Sequence, residues 1–395
     1  MNDGASDGRV RPMRLVQMCT AFRPGGIQRH VLALAAWLRA RGHHVALAGT
    51  PGDWMNPGLD PGFLPLDLDG VAKEGGWVVR RLRNAGRAAS RLRSFLQREK
   101  IELIHAHESA PALVARMATI GLSIPTIVSY HGSEPERIAA FGRIARVAAR
   151  RVITPSHRGA FDLQRLGGVD AAKLRVIGLG VEAAPALDAA RVQRLRERLL
   201  GDGGRRLVVT VARLAHQKAI DVLVEVAKGT VARYDHTRFV VVGDGPQRDD
   251  ARRWAATAGI ERHLTFVGYD DRPYEFLAAA DLFLLPSRWE GLPLTIVEAF
   301  RAGLPVVATD AGGVGELVDD AVGKLVAIGD VDALTREICR ICEDDALRTR
   351  LAANALARSQ EPRFSPSHIH RIFECTYAEV LGRPASDETV LPIES

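Results

Sequence analysis

Cysteine is scarce in this 395-residue sequence, which has only Cys19, Cys339, Cys342 and Cys375. So few thiols exclude a disulfide-stapled scaffold and point to a reducing, cytoplasmic compartment. Cys339 and Cys342 form a C-x-x-C, but within a helical pattern and with no second ligand pair nearby, which argues against zinc or redox use. Aromatic residues are also few, at 6%. With no recognition motif in the chain, a nucleic-acid partner is not expected. No apolar run approaches the ~20 residues that a spanning helix needs. No signal-peptide pattern opens the sequence. The expected location is the cytoplasm, or peripherally the inner face of a membrane.

What is present is average for a soluble globular protein, with 47% hydrophobic and 25% charged residues. The length implies two domains rather than one core. Charge divides the same way. Residues 1–185 carry 26 Lys and Arg against 15 Asp and Glu, a net +11, and the remainder 27 against 32, a net −5. Only the ends, Met1 to Pro12 and the residues beyond Gly382, lack any periodicity and are expected to be disordered.

Strand and helix patterns alternate in two runs. Arg14 to Thr20 predicts a buried first strand that ends in the turn Pro24-Gly25-Gly26. A helix follows from Ile27 to Arg41, with Val31, Leu34, Ala35 and Leu38 on one face and Gly42 placed to stop it. His44–Ala48 predicts a second strand, and Pro51–Pro65 a Pro/Gly-rich loop. Val78–Leu96 predicts a helix with Val78, Leu82, Ala85, Ala89, Leu92 and Leu96 in one stripe. Further strands are predicted at Ile101–His105, Thr126–Tyr130, Arg151–Thr154 and Leu174–Ile177. After a polar, Ala-rich joint at Glu182–Gly204, a second series begins at Leu207–Val211. It continues at Phe239–Val242, Leu264–Val267, Leu282–Leu285, Val306–Thr309 and Leu325–Ile328. The expected fold is α/β, with two doubly wound Rossmann-like domains facing a central cleft. The boundaries fall at 1–185 and 186–365, and a last helix near 366–382 packs back on the first domain.

The residues with chemical promise follow strands. Pro286-Ser-Arg-Trp-Glu290-Gly-Leu-Pro-Leu-Thr-Ile-Val-Glu298 opens a helix whose free amides suit a phosphate. One carboxylate there can accept bonds from ribose hydroxyls and the other from sugar hydroxyls. Taken singly, each glutamate reads equally as a loop residue or a capping partner. Arg213 and Lys218 flank another helix start, where two cations can hold a diphosphate and stabilise charge on a leaving nucleotide. An isolated Arg and Lys would otherwise read as a solvated basic pair.

Taken in order, Arg213…Lys218, Gly243-Asp-Gly245-Pro246, Phe266-Val-Gly268, Glu290-x7-Glu298, Ala311-Gly-Gly313 and Glu316 strongly resemble family 4 retaining glycosyltransferases. The resemblance implies the GT-B fold, an amino-terminal acceptor domain and a carboxy-terminal donor domain. It implies that Arg213 and Lys218 contact the donor diphosphate and that Glu298 meets the ribose. Glu290 and the backbone of Gly291, Leu292, Pro293, Leu294 and Thr295 belong near the donor sugar and phosphates, and Gly243 and Gly245 in the nucleotide pocket. In the amino-terminal half the match is looser. Gly25-Gly26 resembles the family's phosphate-approaching loop, and His131 the histidine beside the donor sugar. His107, of the pair His105-x-His107, is an acceptor-side candidate. A strand is expected to set that pair on opposite faces, against a shared metal. Where the family often has Pro-Asn-Gly-Val-Asp, this chain has Gly178-Leu-Gly-Val-Glu182, so Leu179 replaces an asparagine at the hinge.

The same resemblance implies same-face sugar transfer through an oxocarbenium-like state, with no cofactor beyond a nucleotide-diphosphate sugar as co-substrate. No D-x-D stands near the donor motifs, so no divalent metal is expected. The expected acceptor is a glycan or lipid-linked acceptor of surface polysaccharide or glycolipid synthesis. Arg80, Arg81, Arg83, Arg87, Arg91 and Arg93 lie on one amphipathic segment. They suit an anionic membrane surface as well as they suit a solvated outer face. Two other readings stand beside transfer. A sugar-nucleotide epimerase on the same architecture would not favour this set of four residues. A silent sugar-nucleotide-binding protein would be expected to have lost one of them.

Overall fold

The computed structural model describes residues 10–72 and 78–384. Residues 1–9 and 385–395 and the side chain of Val78 lie outside the described residues; Val10, within the end expected to be disordered, is buried in the core. Contacts divide the chain into Met1–Gly180 with Pro366–Ser395, and Val181–Ser365.

The first unit begins β1 (Arg14–Ala21), α1 (Gly26–Ala40), β2 (His44–Thr50) and β3 (Leu64–Pro65). It continues α2 (Asp69–Ala72), α3 (Val78–Arg98), β4 (Leu103–His107), α4 (Ser109–Ala118) and β5 (Thr126–Ser129). Then come α5 (Pro135–Ala148), β6 (Arg151–Thr154), α6 (His157–Arg165) and β7 (Leu174–Val176). The strands pair in parallel in the order β3-β2-β1-β4-β5-β6-β7. Helices cover such a sheet on both faces, so its inner strands are buried along their length rather than alternating, with Gln17, His105, His107 and Ser129 as buried polar residues. The order reverses between β1 and β4, where an open α/β sheet leaves a crevice at the strands' carboxyl ends.

Two differences from the sequence reading have local causes. Strand β4 starts two residues later than expected because Ile101 closes the preceding helix, its N–H bonding Leu96 O at 2.9 Å after a left-handed Lys100 (φ 49°). On α3 the apolar stripe is buried at Ala85, Ala89, Leu92 and Leu96, but Leu82 is 59% exposed. The core formed by Leu66, Leu68 and Val71 takes up that stripe only from Ala85 onward. Arg80, Arg83, Arg87 and Arg91 are exposed, whereas Arg81 and Arg93 bond the carbonyls of Val71, Ala118 and Ile120.

The second unit opens with α7 (Ala189–Leu200), inside the stretch read as a mere joint. Asp188 caps it, accepting from the N–H groups of Ala190 and Arg191, and Leu195 buries its inner face. Next come β8 (Arg206–Val211), α8 (Ile220–Arg233), β9 (Thr237–Val242), α9 (Arg248–Ala258) and β10 (Leu264–Gly268). Then follow α10 (Pro273–Ala279), β11 (Leu282–Leu285), α11 (Leu294–Arg301), β12 (Val306–Thr309) and β13 (Gly323–Val326). The helices α12 (Val331–Glu343) and α13 (Asp345–Arg358) complete the unit. All its strands are parallel, in the order β10-β9-β8-β11-β12-β13, with the reversal between β8 and β11. Strand β13 ends two residues before the expected limit, and Ile328 is exposed. Cys339 and Cys342 are buried, free thiols on α12.

The last helix, α14 (Pro366–Val380), belongs to the first unit. Ile369, Ile372, Phe373, Tyr377 and Ala378 enter the core built on β1 and α1. Glu374 fixes it further, accepting from Arg41 Nε at 2.8 Å and lying 2.8 Å from His43 Nε2. The two crossings between the units are closely tied. Val181 N–H bonds Phe364 O at 3.1 Å, and a Cβ at Gly180 would meet Pro366 Cα at 2.5 Å. Leu179, in place of the family's asparagine, is buried.

Candidate active site

In the second unit the loops after β8, β9, β11 and β12 meet at the sheet reversal. Past β8 the backbone makes one 3-10 turn, His216–Lys218, and Ala219 (φ 52°) starts α8 in the left-handed region. Lys218 Nζ ion-pairs with Glu290 Oε1, and both side chains are largely buried. A partly buried carboxylate and ammonium hold their charges only where further hydrogen bonds support them. Ser287 Oγ supplies one to Glu290 Oε1 at 2.6 Å, and Gln217 Nε2 bonds Trp289 O at 2.9 Å and lies 3.4 Å from Glu290 Oε2. The loop itself is tied down by Arg288, which meets the Asp221 carboxylate with two nitrogens at 3.0 and 2.5 Å. Thr309 Oγ1 on β12 donates to Ser287 O at 2.5 Å.

Close backbone approach requires glycine at several points of these loops, among them Gly245, where a Cβ would lie 2.3 Å from Leu214 O. A Cβ at Gly243 (φ 140°) would lie 2.0 Å from Ala212 O, and one at Gly312 (φ 61°) 2.0 Å from Glu290 O. Gly245 follows in the same loop as Gly243, with Leu214 N–H bonded to Asp244 O at 3.0 Å. Gly291 is bonded through its carbonyl to Gly313 N–H at 3.1 Å. Leu292 leads to Pro293, the cap residue of α11, and Leu294 and Thr295 form its first turn. No side chain caps that turn, so its N–H groups are left for another acceptor.

The four residues first singled out fall into different settings. Lys218 and Glu290 touch. Arg213 is exposed just past β8, and its side chain has no partner among the described residues. Glu298 is 2% exposed inside α11 and lies 3.3 Å from Tyr274 Oη on α10, which donates to it. Gln217, Ser287, Asp221, Arg288 and Tyr274 were not read from the sequence. Their partners sit 3 to 73 positions away, and only the fold brings them together.

In the first unit the loop Gly25-Gly26 opens α1, with Gln28 Nε2 bonded back to Ala21 O at 2.8 Å. Gly25 is extended (φ 179°), a conformation open to any residue. His107 ends β4 and His131 follows β5, their rings stacked at 5.2 Å with His107 Nδ1 3.0 Å from His131 Nε2. The expectation that His105 and His107 lie on opposite faces is wrong. Residues two apart on a strand share a face, and the two rings lie 4.0 Å apart. His30 and His370 pack against the same group. Burial pushes His131 and His370 down to about 4 and His105 to about 3. Burial, then neighbouring histidines, holds His30 and His107 well below the ordinary value. The cluster is therefore neutral near pH 7. No group of three or more His, Cys, Asp or Glu among the described residues is arranged to hold a metal ion.

Known proteins share both halves of this arrangement. Residues 192–358 match the family described as glycosyl transferases group 1, and residues 24–184 match glycosyltransferase family 4. The chain belongs to the group 1, family 4 glycosyltransferases. A phosphatidyl-myo-inositol mannosyltransferase of Mycobacterium leprae is 28% identical to this glycosyltransferase over 89% of the chain and 93% of the relative. A sulfoquinovosyl transferase of Arabidopsis thaliana is also 28% identical, over 69% of the chain and 56% of its own length, so this chain spans just over half of the plant protein. Among solved structures, Anabaena HepE in complex with UDP and glucose superimposes with a TM-score of 0.77 at 20% identity, covering 93% of this chain and all of that one. The two parallel-sheet units are those of the GT-B fold.

Proposed function

We propose that this glycosyltransferase moves a sugar, with retention of configuration, from a nucleotide-diphosphate donor to a glycan or lipid-linked acceptor of surface polysaccharide or glycolipid synthesis. The observation that carries the donor reading is the Lys218–Glu290 pair beside an uncapped helix start and the exposed Arg213. A diphosphate placed there meets two cations and free amides, which favour it most when the departing nucleotide gains charge. Glu290 and Glu298 orient hydroxyls of the sugar and the ribose. Gly25 needs no special backbone angle, but a Cβ there would lie 2.5 Å from Gln28 Oε1, so glycine lets the loop fold closely over α1. By the family resemblance His131 is a sugar-binding residue, with His107 Nδ1 3.0 Å from its Nε2. The names of the relatives favour this reading, since one acts on a phosphatidylinositol and a structural neighbour holds UDP and glucose.

The proposed chemistry is same-face attack without a covalent sugar–enzyme intermediate and without a divalent metal; the D-x-D of the second unit, Asp330-Val-Asp332, opens α12, where Asp330 caps the helix by accepting from Ala333 N–H. The enzyme would work at the cytoplasmic side of the membrane. Four exposed arginines on α3, beside exposed Val79 and Leu82, suit an anionic leaflet. Among the described residues no helix is long and apolar enough to cross a membrane.

A binding and hydrolysis screen with UDP-, GDP- and ADP-sugars tests the donor reading. Nucleotide release from one class, insensitive to chelator, is expected, and no binding to any class would overturn it. NMR of the product's anomeric configuration tests retention. Sedimentation with anionic and neutral vesicles tests the α3 surface. Salt-sensitive binding to the anionic set, lost in Arg83→Glu/Arg87→Glu/Arg91→Glu, is the expected result.

A further inference from the structure

His131 is the accessible end of a buried hydrogen-bond chain that starts on the last helix. Tyr377 Oη lies 2.6 Å from His105 Nδ1 and receives a bond from Gln17 Nε2 at 2.9 Å. Gln17 Oε1 lies 2.9 Å from His107 Nε2, and His107 Nδ1 lies 3.0 Å from His131 Nε2. At the other end His105 Nε2 meets Ser129 Oγ at 2.7 Å. Gln17, His105, His107 and Tyr377 have no solvent exposure, so their polar atoms depend on one another.

Each link fixes the next. An amide has one donating and one accepting end. Because Gln17 Nε2 donates to Tyr377, its Oε1 can only accept, and the proton between Gln17 and His107 sits on His107 Nε2. A neutral imidazole has a single N–H, so His107 Nδ1 is a bare acceptor. The proton between the two rings then belongs to His131 Nε2. Both rings are neutral because burial holds their basicity down. His131 Nδ1 is left bare, has no partner among the described residues and is not among the buried unpaired atoms.

We propose that Gln17, seated against Tyr377, is a positioning residue that holds His131 in its Nε2–H tautomer, so that its open Nδ1 accepts a hydrogen bond from a sugar hydroxyl. The role given to the sugar rests on the transferase reading above; the tautomer does not. Turning the Gln17 amide over would reverse every proton in the chain and make His131 Nδ1 a donor. The amide's orientation, with Nε2 toward the Tyr377 hydroxyl, thus sets which hydrogen-bonding partner the site accepts.

The test is nitrogen-edited NMR of the imidazole rings in the full chain, with His131 assigned through His131→Asn. The wild type is expected to show His131 Nε2 protonated and Nδ1 bare. Tyr377→Phe keeps the ring in the core and removes the acceptor of the Gln17 amide N–H. Gln17→Met removes the amide itself. Each is expected to give His131 a mixture of tautomers and to lower kcat/KM for transfer roughly tenfold, the value of one lost hydrogen bond. A protonated Nδ1 in the wild type, or an unchanged tautomer in both variants, overturns the proposal. A wild type with the expected tautomer but no nucleotide-sugar turnover would instead overturn the transferase reading and leave the relay standing.

Discussion

At the scale of single residues, the donor loops separate charge from support. Lys218 is held by Glu290, while Arg213 is exposed. A diphosphate would draw both cations to itself. Lys218→Ala and Arg213→Ala are each expected to lower kcat by roughly 10²–10³, as removal of one stabilising donor does elsewhere. Circular dichroism should show the fold intact, and near-native turnover in both variants would sink the assignment. Ser287→Ala removes only a bond to Glu290 Oε1. Its expected cost is about 1 kcal/mol, or roughly fivefold in kcat/KM, with nucleotide affinity changed little if Glu290 serves the sugar. Tyr274 and Glu298 form the other supported carboxylate.

At the scale of elements, the loops owe their shape to close backbone contacts. Gly312→Ala would place a methyl against the Glu290 carbonyl in a left-handed conformation. It is expected to destabilise the second unit by roughly 1–3 kcal/mol and to lose activity beyond that, because the clash falls on the catalytic loop. Denaturant melts of Gly312→Ala, with Gly329→Ala (φ 81°, nothing within 4 Å) as a strain-only control, separate the two causes. The elements themselves were largely legible in the sequence. Strands buried on both faces appear as unbroken apolar runs, and β6, β11 and β12 begin and end where those runs do. Helix α7 was hidden because its exposed, arginine-rich surface leaves Leu195 as its one fully buried residue. The histidine pair was misjudged through strand periodicity, not through residue identity. Nothing local could reveal the Gln17–Tyr377 bond, which joins residues 360 apart.

At the scale of the whole molecule, the neutral histidine cluster ties stability to pH. In the unfolded chain these rings take up protons near pH ~6.5. In the fold they do so only at about 4 or lower for His131, His370 and His105, with His30 and His107 also depressed. Between those limits the unfolded chain binds more protons, so stability rises with pH. It is fully present above ~6.5 and is lost as pH falls toward about 4. The thermal midpoint should therefore drop by several degrees between roughly pH 7 and pH 5. His370→Gln should flatten that slope, and an unchanged slope would show that the cluster is not the cause.

The placement of α14 also governs the order of assembly. Val181–Ser365 is one continuous stretch and can close its core while the chain is still being made. The amino-terminal unit, though synthesised first, lacks Phe373 and Tyr377 until the last helix leaves the ribosome. Its sheet must wait, incompletely covered, for the rest of the protein. A message cut short before those codons would yield a finished second unit and an unfinished first one, a product unable to fix His131. Completion of translation is therefore a condition of competence, enforced by packing alone.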